Sequence, residues 1–141
     1  MKKFVALFVA IVLFASCHKT TKVVEEKFSD GTPKIERFYE GKGDNKEMVK
    51  EIKYYQNKQK EMEGEFKNSK RDGYWVAYYE NGNKWSEGYF EKGLDHGKRT
   101  VYYENGEKRY EGKYTNGVQT GVWKFWSESG LLEKEVDYDK K

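Results

Sequence analysis

Apolar positions fall into two regimes along the chain. From Phe4 to Phe14 they run unbroken for eleven residues. Beyond residue 27 they come in short aromatic and β-branched clusters separated by charged residues and glycines, and these clusters recur every 24 residues. Gly73, Gly97 and Gly121 share that spacing, as do Gly82, Gly106 and Gly130. So do Tyr54, Tyr78, Tyr102 and Trp126, then Glu63, Glu87, Glu111 and Glu135, and then Phe66, Phe90, Tyr114 and Tyr138. Several columns in one register mark a tandem repeat. The unit is clearest in GYWVAYYENGNKWSEGYFEKGLDH (73–96) and GKRTVYYENGEKRYEGKYTNGVQT (97–120). Residues 49–72 make a third copy, 121–138 a truncated fourth, and 28–40 half a copy ahead of the insertion GKGDNKEM.

Each copy predicts a β-hairpin. Tyr74–Tyr79 is rich in aromatic and β-branched residues, Asn81-Gly82 signals a two-residue turn, and Lys84–Phe90 returns. Val101–Tyr103, Asn105-Gly106 and Lys108–Tyr114 repeat the pattern. No apolar period of 3.6 persists through a copy, so helix is a poor alternative. The fold class is therefore all-β, with stacked antiparallel hairpins over residues 28–138 and irregular end units as caps. Pro33 falls in the irregular first unit, outside the regular strands. Gly64, Gly88 and Gly112 fall in mid-strand, where glycine is costly unless something needs the space. A ring from a neighbouring strand is expected across each.

The apolar run at the start follows Lys2 and Lys3 and ends in small residues, which is a secretory signal pattern. Eleven residues are about half of the roughly 20 that a spanning helix needs. Leu13, Phe14, Ala15, Ser16 and Cys17 resemble the lipobox of bacterial lipoproteins, in which cleavage precedes a cysteine that then receives acyl chains. Cys17 is the chain's single cysteine, so a disulfide framework is excluded and lipid attachment is its simplest use. The expected organisation is a signal peptide at 1–16, lipidated Cys17 with a polar tether to residue 27, the repeats, and a tail at 139–141. His18 follows the cysteine where inner-membrane retention is usually associated with Asp, so an outer-membrane location is expected in a Gram-negative host.

The pattern G-x-W-x-x-Y-Y-E-N-G-x-K-x-x-E-G-x-F-x-x-G, seen whole at Gly73–Gly93, resembles MORN-type repeats in the variant found in bacterial proteins of the YwqK type, often labelled antitoxins. Trp75 and Trp123 match it, while Arg99 and Glu51 depart from it. The resemblance implies a row of hairpins in an elongated, twisted antiparallel sheet and implies little about activity.

Composition changes this picture in two respects. After residue 16 there are only three Leu, two Ile, eight Val and five Phe, so the 12 Tyr and 4 Trp must supply the buried surface. Setting aside Lys2 and Lys3, Lys and Arg number 25 against 24 Asp and Glu, a balance that offers no field for nucleic acid.

Candidate chemistry is thin. Of two histidines, His18 adjoins the lipidation site and His96 is expected in a turn between hairpins beside Asp95. No His/Cys cluster has zinc spacing, no acidic loop has the calcium pattern, and no glycine-rich phosphate loop follows a strand, so neither metal nor cofactor is expected. The glutamate column reads as a solvated charge ladder with Lys60, Lys84 and Lys108 running three residues before it. An enzyme is not expected.

Trp75, Tyr78, Tyr79, Tyr102, Tyr103, Trp123 and Trp126 are the candidate interaction surface, with the core of a thin sheet as the competing use for the same rings. The leading functional expectation is a non-enzymatic envelope lipoprotein with a protein-binding repeat face. An inhibitor of one dedicated toxin and a module for peptidoglycan or other glycans are the alternatives. The partner is not encoded in any motif, and exposed terminal strands leave edge-to-edge pairing open.

Overall fold

The computed structural model describes residues 20–140. They form ten strands: β1 (Thr21–Lys27), β2 (Pro33–Glu40), β3 (Glu47–Tyr54), β4 (Lys60–Lys67), β5 (Lys70–Tyr78), β6 (Lys84–Glu91), β7 (Leu94–Tyr102), β8 (Lys108–Thr115), β9 (Val118–Trp126) and β10 (Leu132–Asp137). All ten join one sheet in chain order, and every neighbouring pair is antiparallel. The insertion after β2 makes one turn of 3-10 helix at Gly43–Asn45, and no α-helix occurs among the described residues.

The two ends of the strands close differently. At one end Tyr79 N–H donates to Asn83 O (2.8 Å) and Gly82 N–H to Tyr79 O (2.9 Å), with Gly82 at φ +89°. The same bonds recur at Phe28–Thr32, Tyr55–Gln59, Tyr103–Glu107 and Ser127–Leu131. These are turns closed by a left-handed residue at the fourth position, not the two-residue Asn-Gly turn expected from sequence, in which both members would need positive φ. At the other end the turns are two-residue: Asn68-Ser69, Lys92-Gly93 and Asn116-Gly117 each have both residues at positive φ.

Asn81 serves a different purpose. Its Oδ1 accepts from Asn83 N–H (2.9 Å), while its Nδ2 donates to the Glu104 carbonyl of the next copy (3.2 Å). Asn57 reaches Glu80 and Asn105 reaches Glu128 in the same way (2.8 Å each). A parallel line of hydroxyls runs from Tyr55 to Tyr78 O, Tyr79 to Tyr102 O and Tyr103 to Trp126 O, at 2.8–2.9 Å. The recurring Tyr-Tyr-Glu-Asn-Gly string is thus a stacking device that ties each loop to its successor.

Alternation places Trp75 and Ala77 on one face of the sheet, here the ring face. Trp75 packs edge-on against Phe66 and Phe90, with ring centroids 5.2 and 6.0 Å away, and the Arg71 guanidinium lies 4.2 Å above it. Trp123 gathers Tyr110, Tyr114 and Tyr138 at 5.0–5.9 Å. Burying one such indole stabilises the sheet by about 5 kcal/mol at ~25 cal/mol per Å².

The expected ring across each mid-strand glycine is present at Gly64, beneath Trp75, and at Gly112, beneath Trp123. At Gly88 the cover is the aliphatic stem of Arg99, because the repeat carries Arg where its neighbours carry Trp.

Three boundaries differ from the sequence expectation. The stretch read as a tether contains β1, whose pairing with β2 completes a full first hairpin in place of half a copy. Pro33 opens β2 opposite Lys27, a position at which a strand tolerates proline. His96 belongs to β7, since the turn is Lys92-Gly93. The signal segment, Cys17 and His18 lie outside the described residues.

Candidate functional site

The face opposite the rings, here the ladder face, is organised by a single row that crosses every strand. Val24, Glu36, Ile52, Glu63, Val76, Glu87, Thr100, Glu111, Lys124 and Glu135 are successive cross-strand partners. Every even-numbered strand supplies a glutamate, so neighbouring carboxylates stand two strand spacings, roughly 9.6 Å, apart. Between them Ile52, Val76 and Thr100 are buried.

Each carboxylate in the row has a cation beside it. Lys22 meets Glu36 (2.8 Å), Lys50 and Lys60 meet Glu63 (2.8 and 2.7 Å), Lys98 and Lys108 meet Glu111 (3.2 and 2.7 Å), and Lys124 meets Glu135 (3.0 Å).

Glu87 is bound differently. Lys84 donates to it at 2.6 Å, and the hydroxyls of Tyr74 and Tyr102 add two more hydrogen bonds. Burial alone would push the Glu87 carboxyl up, but the hydrogen bonds from Lys84, Tyr102 and Tyr74 outweigh it and hold the group down at about 2. Burial and the same carboxylate push the Tyr102 hydroxyl up to about 12 and that of Tyr74 higher still. An acid this strong is ionised at neutral pH and has no proton to give, so Glu87 is a fixed charge in the ladder and not a general acid.

Tyr74, Glu87, Tyr89, Lys98, Thr100, Tyr102 and Lys108 line a shallow depression. Tyr74 and Tyr89 stand directly opposite each other across β5 and β6, with centroids 5.4 Å apart, and are 36% and 52% exposed. Trp85, in the bulge between Lys84 and Ser86, is 46% exposed.

The residues singled out from sequence divide into three groups. Trp75 and Trp123, 5% and 1% exposed, belong to the core and cannot serve as a surface. Their indole N–H groups donate to Glu65 O (2.9 Å) and Lys113 O (3.3 Å). Tyr79 and Tyr103 use their hydroxyls to stack the loops. Tyr78, Tyr102 and Trp126 are half-buried on the ladder face opposite Lys84, Lys108 and Leu132.

Sequence reasoning missed Tyr74, Tyr89 and Trp85, although a signal for them was present. Position 74 is Lys50, Lys98 or Val122 in the other copies, position 89 is Glu65, Lys113 or Asp137, and position 85 is Glu61, Arg109 or Glu133. Rings that recur every 24 residues hold the repeat together. Tyr74, Tyr89 and Trp85 break the period and are exposed.

Of the glycines that define the repeat, Gly73, Gly97, Gly121, Gly82, Gly106 and Gly130 have positive φ, whereas Gly88 and Gly112 serve close approach.

The family model of the MORN repeat variant matches residues 71–92, 95–116 and 119–140. These spans take in the hairpins β5–β6, β7–β8 and β9–β10, each centred on its Asn-Gly or Ser-Gly loop. The hairpins β1–β2 and β3–β4 share the loop bonds and the central row without falling within a matched span. No curated protein matches the chain.

Proposed function

We propose that the chain is a non-enzymatic lipoprotein of the cell envelope, anchored through Cys17, whose ladder face docks a protein partner. The observation that carries this reading is the Tyr74–Tyr89 pair on that face, with Trp85 exposed in the bulge of β6. The repeat does not need these three aromatic residues for its own packing, and they replace charged residues at their positions in most other copies. Rigid rings of this kind give large contact area at small entropic cost. Lys98 borders the same depression, and Lys113 stands opposite Lys98 on β8, so the fitting partner presents an apolar anchor with a carboxylate beside it. The three tandem MORN repeat variants support an interaction role. The signal pattern and lone cysteine support the anchor, with an outer-membrane location favoured by His18 in a Gram-negative host.

Cross-linking in intact cells followed by capture of the chain from membranes tests the docking. Several envelope proteins, or one stoichiometric protein as a dedicated inhibitor would give, should be recovered with the native face and lost with Tyr74→Ala/Tyr89→Ala. Sedimentation with purified cell wall instead of a captured protein would overturn the protein-docking reading in favour of a glycan module. Fatty-acid labelling should vanish in Cys17→Ser, and label that persists refutes the anchor.

A further inference from the structure

Among the described residues neither edge of the ten-stranded sheet has a further partner strand, and the two edges differ in a patterned way. β1 offers Lys22, Val23, Val24 and Glu25; β10 offers Lys134, Glu135, Val136 and Asp137. Charges on an edge strand discourage indiscriminate pairing. These charges also discourage β10 from pairing with itself. About a two-fold axis normal to the sheet, an antiparallel β10–β10 pair centred on Glu135 or Lys134 sets that residue against its own copy, and like charges directly opposite are destabilising.

Pairing of β10 with β1 of a second copy gives the opposite result. Inside the sheet every even strand passes to the next odd strand with its row glutamate facing Ile52, Val76, Thr100 or Lys124. Val24 already occupies that column, opposite Glu36. Carrying the register past β10 therefore places Glu135 against Val24 of the next copy. The same register brings Asp137 to Lys22 and, at the bulge in β1, Lys134 to Glu25 of that copy, two pairs of opposite charge against one like pair, Glu133 with Glu26 at the bulges of both strands.

Size is matched as well. Gly64, Gly88 and Gly112 are bare because Trp75, Arg99 and Trp123 of the following strand lie over them. In the same column β10 carries Val136, and the residue that would follow it is Val23, small enough to need no glycine and 39% exposed in the single chain. The last hairpin also leaves Val118, Val122, Leu131 and Leu132 exposed at the uncovered end.

We propose that copies of this chain associate head to tail, β10 of one pairing antiparallel with β1 of the next, so that the sheet and its central row continue from chain to chain. Such a heterologous contact does not close on itself and grows by addition.

The test uses full-length chains carrying Cys17→Ser, so that introduced thiols are the only ones. One chain also carries Val23→Cys and the other Val136→Cys. Oxidation of the mixture should give a disulfide-linked pair far above either variant alone, and a chain with both substitutions should give a ladder of multimers. Val136→Cys cross-linking to itself as readily as to Val23→Cys overturns the proposal. So does an absence of cross-links while both variants melt cooperatively. Independently, Glu25→Lys and Lys134→Glu should each weaken association about tenfold by sedimentation, and the two together in one chain should restore it. A single monomeric species at every concentration also overturns the proposal.

Discussion

The indole of Trp75 lies over the bare backbone of Gly64 on the neighbouring strand, and Trp123 covers Gly112 in the same manner. A Cβ at either glycine would clash with the carbons of the ring. At Gly88 it would meet Arg99 Cδ at 2.8 Å, the stem of a flexible side chain, and the Lys98 carbonyl oxygen at 3.2 Å.

The three glycines should therefore differ in their tolerance of a methyl group. Gly64→Ala and Gly112→Ala should each cost about 3 kcal/mol, the upper end for overpacking, whereas Gly88→Ala should cost about 1 kcal/mol because Arg99 can swing aside. Urea midpoints of the three variants measure this. Equal losses would show that the ring is not the constraint.

The hydroxyl ladder makes a second prediction. Tyr79→Phe removes the bond to the Tyr102 carbonyl and leaves the ring in place, so it should lower stability by about 1 kcal/mol. Tyr103→Phe should match it, because its hydroxyl bonds Trp126 O in the same geometry. Tyr89→Phe, at an exposed ring, should change thermal stability little.

Lys58 occupies the left-handed position that Gly82, Gly106 and Gly130 fill in later loops, with φ +70°. A side chain there costs about 1–2 kcal/mol in conformational energy, partly offset by the greater flexibility of glycine when unfolded. Lys58→Gly should raise the melting midpoint by the equivalent of about 1 kcal/mol, without altering any cross-strand contact.

The acid limb of stability should trace to the carboxylate row. Glu87 sits at about 2 in the fold, below its ordinary 4.5, so its contribution is present above pH 4.5 and is lost as pH falls from there to about 2. Glu36, Glu63 and Glu111 are shifted in the same direction and add to the slope. Tyr102 is shifted up from 10 to about 12, so its contribution is present below pH 10 and is lost as pH rises through that window. Glu87→Gln should flatten the acid limb and, in part, the alkaline one in urea titrations across pH, because it removes one cause of the Tyr102 shift while burial, the larger cause, remains.

The period was legible because one supersecondary unit must meet the same neighbours each time, which forces the same residues into the same places. Turn geometry was less legible. Asn81-Gly82 has the composition of a two-residue turn, yet the Asn side chain is used to bond the next loop, a longer-range contact that no single copy reveals. The tether was misread for a related reason: TKVVEEK is polar because β1 is an edge strand with few neighbours, and edge position cannot be read from polarity alone. The exposed Tyr74, Tyr89 and Trp85 carry no periodic signal, whereas Trp75 and Trp123 share a repeat position because both are buried.

The difference in exposure between Trp75 and the pair Tyr74 and Tyr89 supports the last prediction. Trp75→Ala should cost about 3–5 kcal/mol, since it empties the centre of the Phe66–Phe90 cluster, and any loss of partner binding should parallel loss of folded protein. Tyr74→Ala with Tyr89→Ala removes two exposed rings, with the Tyr74 bond to Glu87 as the main internal loss, which should cost about 1–2 kcal/mol and leave the array folded at ambient temperature. If the ladder face is the docking surface, this double variant should abolish capture of the partner at full cooperativity of melting. Tyr79→Phe, which weakens the stack without touching that face, should retain capture. Binding that follows stability across all three variants, with no separate effect of Tyr74 and Tyr89, would move the docking surface elsewhere on the sheet.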